Sequence, residues 1–190
     1  MAMQTPEPQL GTAAPDFDLA AVDGPRHTLA SVRGPNGLLV MFICSHCPYV
    51  QALRDRLVGD MRELQNAGIG VVAICANDAA RYPEDSPARL LEQAREWSFS
   101  FPYLHDATQE VARAYGAVCT PDFFGYDANL RLRYRGRLDS AAGANWSLST
   151  VASRGIEGVG CGRMSATKGM GISPILIPSA CHLWRRTLCV

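Results

Sequence analysis

The stretch "FICSHCPYVQALRDRL", residues 42 to 57, sets two cysteines, Cys44 and Cys47, between an apolar run and a helical pattern. Three readings fit: a redox pair, half of a metal site, or two ordinary cysteines at the end of a core strand. The flanks place the pair. "LLVMFIC" (38 to 44) is continuously apolar, as suits a strand covered on both faces of a mostly parallel sheet. Beyond Cys47 the period changes to three and four. Val50, Leu53, Leu57, Met61 and Leu64 form one face of an amphipathic helix, and Gly68 occupies the usual stop position. Ligands and chemistry gather where such a strand gives way to a helix.

At the first turn of a helix, residues three apart share a face. Cys44 and Cys47 can therefore reach disulfide distance with little backbone movement. The spacing predicts Cys44 near the N-cap, where free N–H groups favour an anion, which makes it the nucleophilic thiolate. Cys47, one turn further in, is expected to be more buried and to act as the resolving thiol. Pro48 is tolerated because it falls in the first turn. His46 reads either as a positive charge that stabilises the reduced form or as a plain exposed polar residue. A structural zinc usually takes four ligands from two such pairs. Here no second Cys-x-x-Cys exists, and His46 is wedged between the two cysteines. Haem attachment needs a histidine after the second cysteine, where this chain has Pro48. Cys75 reads as a small buried hydrophobe.

Working outward, "DFDLAAVDGPRHTLASV" (16 to 32) reads as two short extended pieces around a turn at Asp23-Gly24-Pro25. "IGVVAICA" (69 to 76) is a second apolar strand, and "DSPARLLEQAREW" (85 to 97) a helix with Ser86 as N-cap and Pro87 at its first position. "FPYLHD" (101 to 106) reads as a short strand and "TQEVARAYGA" (108 to 117) as a short helix closed by Gly116. "CTPDFFGYD" and "NLRLRYRGRL" read as two strands joined at Asp127-Ala128-Asn129. Strands alternating with helices imply an α/β sheet with helices on both faces, and the final hairpin makes one side antiparallel. Pro121 opens its strand, since proline cannot sit inside a central ladder.

The chain has 190 residues, 47% hydrophobic and 19% charged, with zero formal net charge. Nothing in that balance suggests a nucleic-acid or membrane-surface partner. No apolar run approaches the roughly 18 residues of a membrane span. The start, "MAMQTPEPQLGTAAPDF", has neither a basic beginning nor an apolar stretch, so the expectation is a cytoplasmic protein. In that compartment a cysteine pair is more often redox-active or metal-binding than structural.

Composition shifts near Asp139. Residues 1 to 139 hold 17 acidic and 13 basic side chains, whereas residues 140 to 190 hold 1 and 5. The expected organisation is a redox domain over 1–139 and an atypical tail over 140–190 without catalytic residues. That tail lacks a sustained helical period, and Glu157 is its only acid. Its expected state is poorly ordered or loosely packed beyond about Gly158.

Taken together, "GTAAPDFDLAAVDG" (11 to 24), "LLVMFICSHCPYV" (38 to 50), "YPEDSP" (82 to 87), "FPYLHD" (101 to 106) and "AYGAVCTPDFFGYD" (114 to 127) resemble the thioredoxin-like superfamily. The resemblance is closest to its peroxiredoxin-like branch, near the alkyl hydroperoxide reductase/thiol-specific antioxidant group. It implies a thioredoxin-like fold: a central mixed sheet with helices on both faces and an N-terminal β-hairpin extension. It implies thiol–disulfide oxidoreductase activity without a cofactor, on a protein or small-molecule thiol or disulfide, or weakly on a peroxide. A non-enzymatic thiol- or metal-binding module on the same scaffold is the alternative. Cys44 is then the attacking thiol, Cys47 the resolving thiol, and Pro121 a cis-proline. Thr120 offers backbone hydrogen bonds to a bound chain, and Cys119 sits close enough to act as a third thiol. Leu38 stands where thioredoxin has a buried aspartate, so proton transfer must use another group or water. In the peroxiredoxin Pro-x-x-x-Thr/Ser-x-x-Cys pattern, with Cys47 as the final cysteine, Cys44 takes the hydroxyl position and Val40 the proline position.

Overall fold

The computed structural model describes residues 8–136. They contain seven strands: β1 (Asp18–Ala20), β2 (Arg26–Thr28), β3 (Leu38–Phe42), β4 (Gly70–Cys75), β5 (Tyr103–His105), β6 (Asp122–Tyr126) and β7 (Leu132–Gly136). The helices are α1 (Leu29–Val32), α2 (Pro48–Ala52), α3 (Arg54–Asn66), α4 (Pro87–Glu96) and α5 (Glu110–Tyr115), with a 3-10 turn at Pro83–Asp85. The expected tail, residues 140–190, lies outside the described residues.

The main sheet runs β5-β4-β3-β6-β7. β3 is its centre, parallel to β4 from Leu38↔Gly70 to Phe42↔Ile74 and antiparallel to β6 from Leu38↔Tyr126 to Phe42↔Asp122. All five residues of β3 are buried, as its unbroken apolar run requires. Side chains alternate between two cores. Leu39, Met41 and Ile43 pack with Leu57, Met61 and Leu64 of α3 and Leu90 of α4. Leu38, Val40 and Phe42 pack with Leu29 and Val32 of α1 and with Ala112 and Tyr115 of α5. Helices thus cover both faces, as the alternating pattern predicts.

The helix after the cysteines departs from the single element its periodicity predicts. Leu53 ends α2 and begins α3, and its N–H bonds Val50 O at 3.1 Å, a tighter turn than the α-helical one. Leu53 is only half-buried, while Val50, Leu57, Met61 and Leu64 stay in the core. Helix α1 was not apparent from the apolar pattern. It rests on a capping box in which Thr28 and Ser31 each cap the other's backbone N–H.

Two connections close the sheet. The loop after α1 crosses the start of β4 so tightly that a Cβ on Gly70 would lie 2.0 Å from Val32 O and 2.6 Å from Gly34 N. The N-terminal segment first pairs beside β7, with Gly11 N to Leu132 O and Leu132 N to Thr12 O both 2.8 Å. It then carries the β1–β2 hairpin to the far side, where Ala21 bridges Leu104 and Val22 N reaches Tyr103 O at 2.8 Å.

Candidate redox site

The site forms where β3 ends. Pro48 has no N–H to lose and a preset φ, so it takes the first helical position. This makes Cys47, not Cys44, the N-cap of α2. The burial expectation also needs correcting. Cys44 has 0% exposure and Cys47 has 3%, so the second cysteine is not the deeper one. Both are thiols here.

The Thr120–Pro121 bond is cis, as expected, and Thr120 lies against the pair. Thr120 Oγ1 lies 3.3 Å from Cys44 Sγ, and Cys47 Sγ donates to Thr120 O at 3.3 Å. Cys119, one residue earlier, is half-buried. Asp122, one residue after Pro121, is fully buried and paired with Arg135 at 2.9 Å, which ties the start of β6 to β7.

A hydrogen bond from Cys44 lowers the Cys47 thiol to about 5, against the upward push of burial. The Thr120 side chain and the N–H groups of Val50 and Tyr49 add to the lowering. Near neutral pH the pair therefore holds one negative charge, shared across a sulfur–sulfur hydrogen bond. The stabilising groups gather at Cys47.

Asp85 completes the site, and no sequence reading assigned it a role. It sits in the 3-10 turn before α4, about forty residues on, with 0% exposure. Its Oδ1 accepts from Ser45 N and Ser45 Oγ, both at 2.8 Å. Its Oδ2 accepts from Asn77 Nδ2 at 2.6 Å and lies 2.6 Å from His46 Nδ1. Gln51 donates its side-chain amide to the Ser45 carbonyl. Both residues between the cysteines are thus pinned. His46 is not the plain exposed residue: its side chain is 19% exposed and stacks on Tyr82 at 5.2 Å. One donor atom each from Cys44, His46 and Asp85 lie within 4.8 Å of one another. That spacing would suit a cation or a proton relay. Both oxygens of Asp85 already hold their hydrogen-bond complement, which favours the relay.

Burial alone would raise the Asp85 carboxyl, but hydrogen bonds from His46, Asn77 and Ser45 outweigh it and hold the group down at about 2. An ordinary aspartate ionises near 4. The contribution, about 2 kcal/mol, is thus fully present above about pH 4 and is lost as pH falls through 2. Denaturant unfolding between pH 5 and 2 is expected to lose about that much more stability in the wild type than in Asp85→Asn. Equal losses would show that the carboxylate is not stabilised by its donors.

Tyr103 supports the floor of the site. Its hydroxyl donates to Ile43 O at 3.3 Å. Burial first, then the nearby Cys75, Cys44 and Asp85, raise its ionisation well above the phenol range, so it stays a neutral donor. Cys75 is 1% exposed at the end of β4, as a buried strand cysteine should be. No helix among the described residues is long and apolar enough to cross a membrane.

Known proteins share this architecture. An uncharacterised conserved protein from Geobacillus kaustophilus is 41% identical over 78% of this chain and 82% of its own, with a TM-score of 0.71. A hypothetical protein from Sinorhizobium meliloti is 37% identical over 83% of this chain and 90% of its own, with a TM-score of 0.74. A secreted Mycobacterium tuberculosis disulfide oxidoreductase, described as homologous to Escherichia coli DsbE, is 17% identical over 75% and 96%, with a TM-score of 0.57, and shows the fold alone. No curated protein matches. The AhpC/TSA family matches residues 10–135, a span that holds both cysteines, the Asp85 turn and the cis-proline. The chain belongs to the AhpC/TSA family, with a thioredoxin-like fold.

Proposed function

We propose that this protein is a thiol–disulfide oxidoreductase in which Cys44 and Cys47 cycle between dithiol and disulfide. The observation that carries the reading is the pair itself: two buried sulfurs in one hydrogen bond, capped by Thr120 at the cis-proline. The substrate is a disulfide on a protein or a small molecule, which gains two electrons and two protons as the pair closes.

The assignment of attack to Cys44 rested on that residue capping the helix. With Cys47 as N-cap and its thiol lowered to about 5, Cys47 is the better thiolate and takes the attacking role, with Cys44 resolving. Iodoacetamide labelling of the reduced protein tests this. Cys47 should react first, at a rate half-maximal near pH 5 and flat above about pH 6. Preferential labelling of Cys44 would restore the opposite assignment.

A second reading, peroxide reduction, draws on the Cys47–Pro48 sequence at a helix start. Cys44 occupies the place of the peroxide-polarising hydroxyl, which favours disulfides. Insulin reduction assayed beside hydrogen peroxide consumption separates the two. A zinc titration monitored at the thiols tests the metal-binding alternative.

A further inference from the structure

We propose that Asp85 is a positioning residue that holds His46 as the base for Cys44 when Cys44 attacks the mixed disulfide on Cys47. This deepens the oxidoreductase reading and rests on it.

The need is chemical. Once Cys47 has joined a substrate sulfur, Cys44 must lose its proton to attack. It is fully buried, and burial in apolar surroundings disfavours a thiolate. The position expected to hold a buried acid holds Leu38, whose side chain is in the opposite core from Ile43 and the cysteines. Some other group must take the proton.

The structure offers one such group beside Cys44. A ring nitrogen of His46, an oxygen of Asp85 and Cys44 Sγ lie within 4.8 Å of one another. Asp85 Oδ2 lies 2.6 Å from His46 Nδ1; a carboxylate there favours the tautomer protonated on Nδ1, with Nε2 as the basic nitrogen. The carboxylate cannot swing away, because Ser45 N, Ser45 Oγ and Asn77 Nδ2 hold it from three further directions. The ring cannot tilt freely either, since it stacks on Tyr82, which in turn lies under the Arg81 guanidinium at 5.5 Å. Charged or titratable groups that face His46 thus include Asp85, Cys44 and Tyr82, with Arg81 behind the Tyr82 ring.

The step balances. Neutral His46 takes the Cys44 proton, the Cys44–Cys47 bond forms, and the Cys47–substrate bond breaks. The substrate sulfur leaves with the electron pair and receives a proton from imidazolium or solvent. The two protein thiols are oxidised and the substrate disulfide is reduced.

Ellman's reagent resolves the two stages in one mixing experiment. With the five other cysteines replaced by alanine, the first coloured thiolate reports attack by Cys47, and the second reports attack by Cys44 on the mixed disulfide. This leaving group needs no proton, so the second phase isolates the base. His46→Ala should slow the second phase about a hundredfold and change the first far less. Its pH profile should also change. The wild-type second phase should hold its rate to lower pH than that of the variant, which has no base beside Cys44 to take the thiol proton. Asp85→Asn keeps the size of the side chain and should slow the second phase about tenfold. In the His46→Ala background it should add nothing, because both act in one relay. A second phase untouched by His46→Ala, or an Asp85→Asn effect that persists without His46, overturns the proposal. Cys44→Ser should abolish the second phase. A wild type that never shows one removes the oxidoreductase reading itself, a different failure.

Discussion

Cys47→Ser is expected to lower insulin reduction at neutral pH by at least about a thousandfold, while Cys44→Ser traps substrate on Cys47. The asymmetry follows from the helix start. Cys47 receives the N–H groups of Tyr49 and Val50 and the Cys44 hydrogen bond, so its thiol lies near 5 and is ionised at pH 7. An ordinary thiol near ~8.5 is only a few per cent ionised at that pH. Turnover also loses the tethered second thiol, whose effective concentration on well-aligned groups reaches ~10⁵ M or more. In Cys44→Ser the attacking sulfur remains, but nothing intramolecular releases the substrate. Mass spectrometry of that variant after exposure to an oxidised protein should show a covalent adduct on Cys47. An adduct forming only in Cys47→Ser would reverse the two roles.

The second large effect concerns stability. Gly70→Ala is expected to cost about 3–5 kcal/mol, at the upper end for one substitution. The added carbon would meet Val32 O at 2.0 Å, Gly34 N at 2.6 Å and Arg33 C at 3.0 Å. All three are backbone atoms, which cannot rotate aside as a side chain can. Relief requires the loop after α1 to move off β4, which breaks the Gly70 N to Gly37 O bond of 3.0 Å. Register at the first β3–β4 pair, Leu38↔Gly70, goes with it. Gly59→Ala, in helix α3 with open space around its Cβ position, is the control and should be neutral or slightly stabilising. A chemical-denaturation midpoint unchanged by Gly70→Ala would mean that the loop has room the structure does not suggest.

The two long apolar runs, 38 to 44 and 69 to 76, could be read as buried strands because every position in them is apolar. The cores follow from period-two alternation, and helix α4 was placed by Ser86 and Pro87, which stand where expected. The cis Thr120–Pro121 bond was legible only because the Cys-x-x-Cys pattern gave it a context. Local pattern fails where a contact is made across distant chain. Asp85 lies in "YPEDSP", among residues typical of an exposed turn, and nothing local says that its carboxylate is buried beneath Ser45. The one-residue displacement of the helix start has a more local cause. Pattern alone merely tolerates Pro48 in the first turn, whereas its missing N–H and fixed φ make it the first helical residue. That single step moved the cap, and with it the favoured thiolate, from Cys44 to Cys47.

The N-terminal strap has a consequence for colloidal behaviour. Open sheet edges are templates for pairing with another chain. Here one short run of backbone masks part of both outermost strands: residues 11–14 lie beside the start of β7, and residues 21–22 lie against β5. Among the described residues, the cover on the two opposite edges is thus joined by one stretch of chain, residues 14–18. A single protease cut between Ala14 and Asp18 would free only the first mask, because the β1–β2 hairpin stays anchored through buried Phe17, Ala21 and Leu29 and runs on into α1 and β3. With only the β7 side uncovered, pairing would join one such edge to another and stop at a pair rather than grow as a chain of molecules.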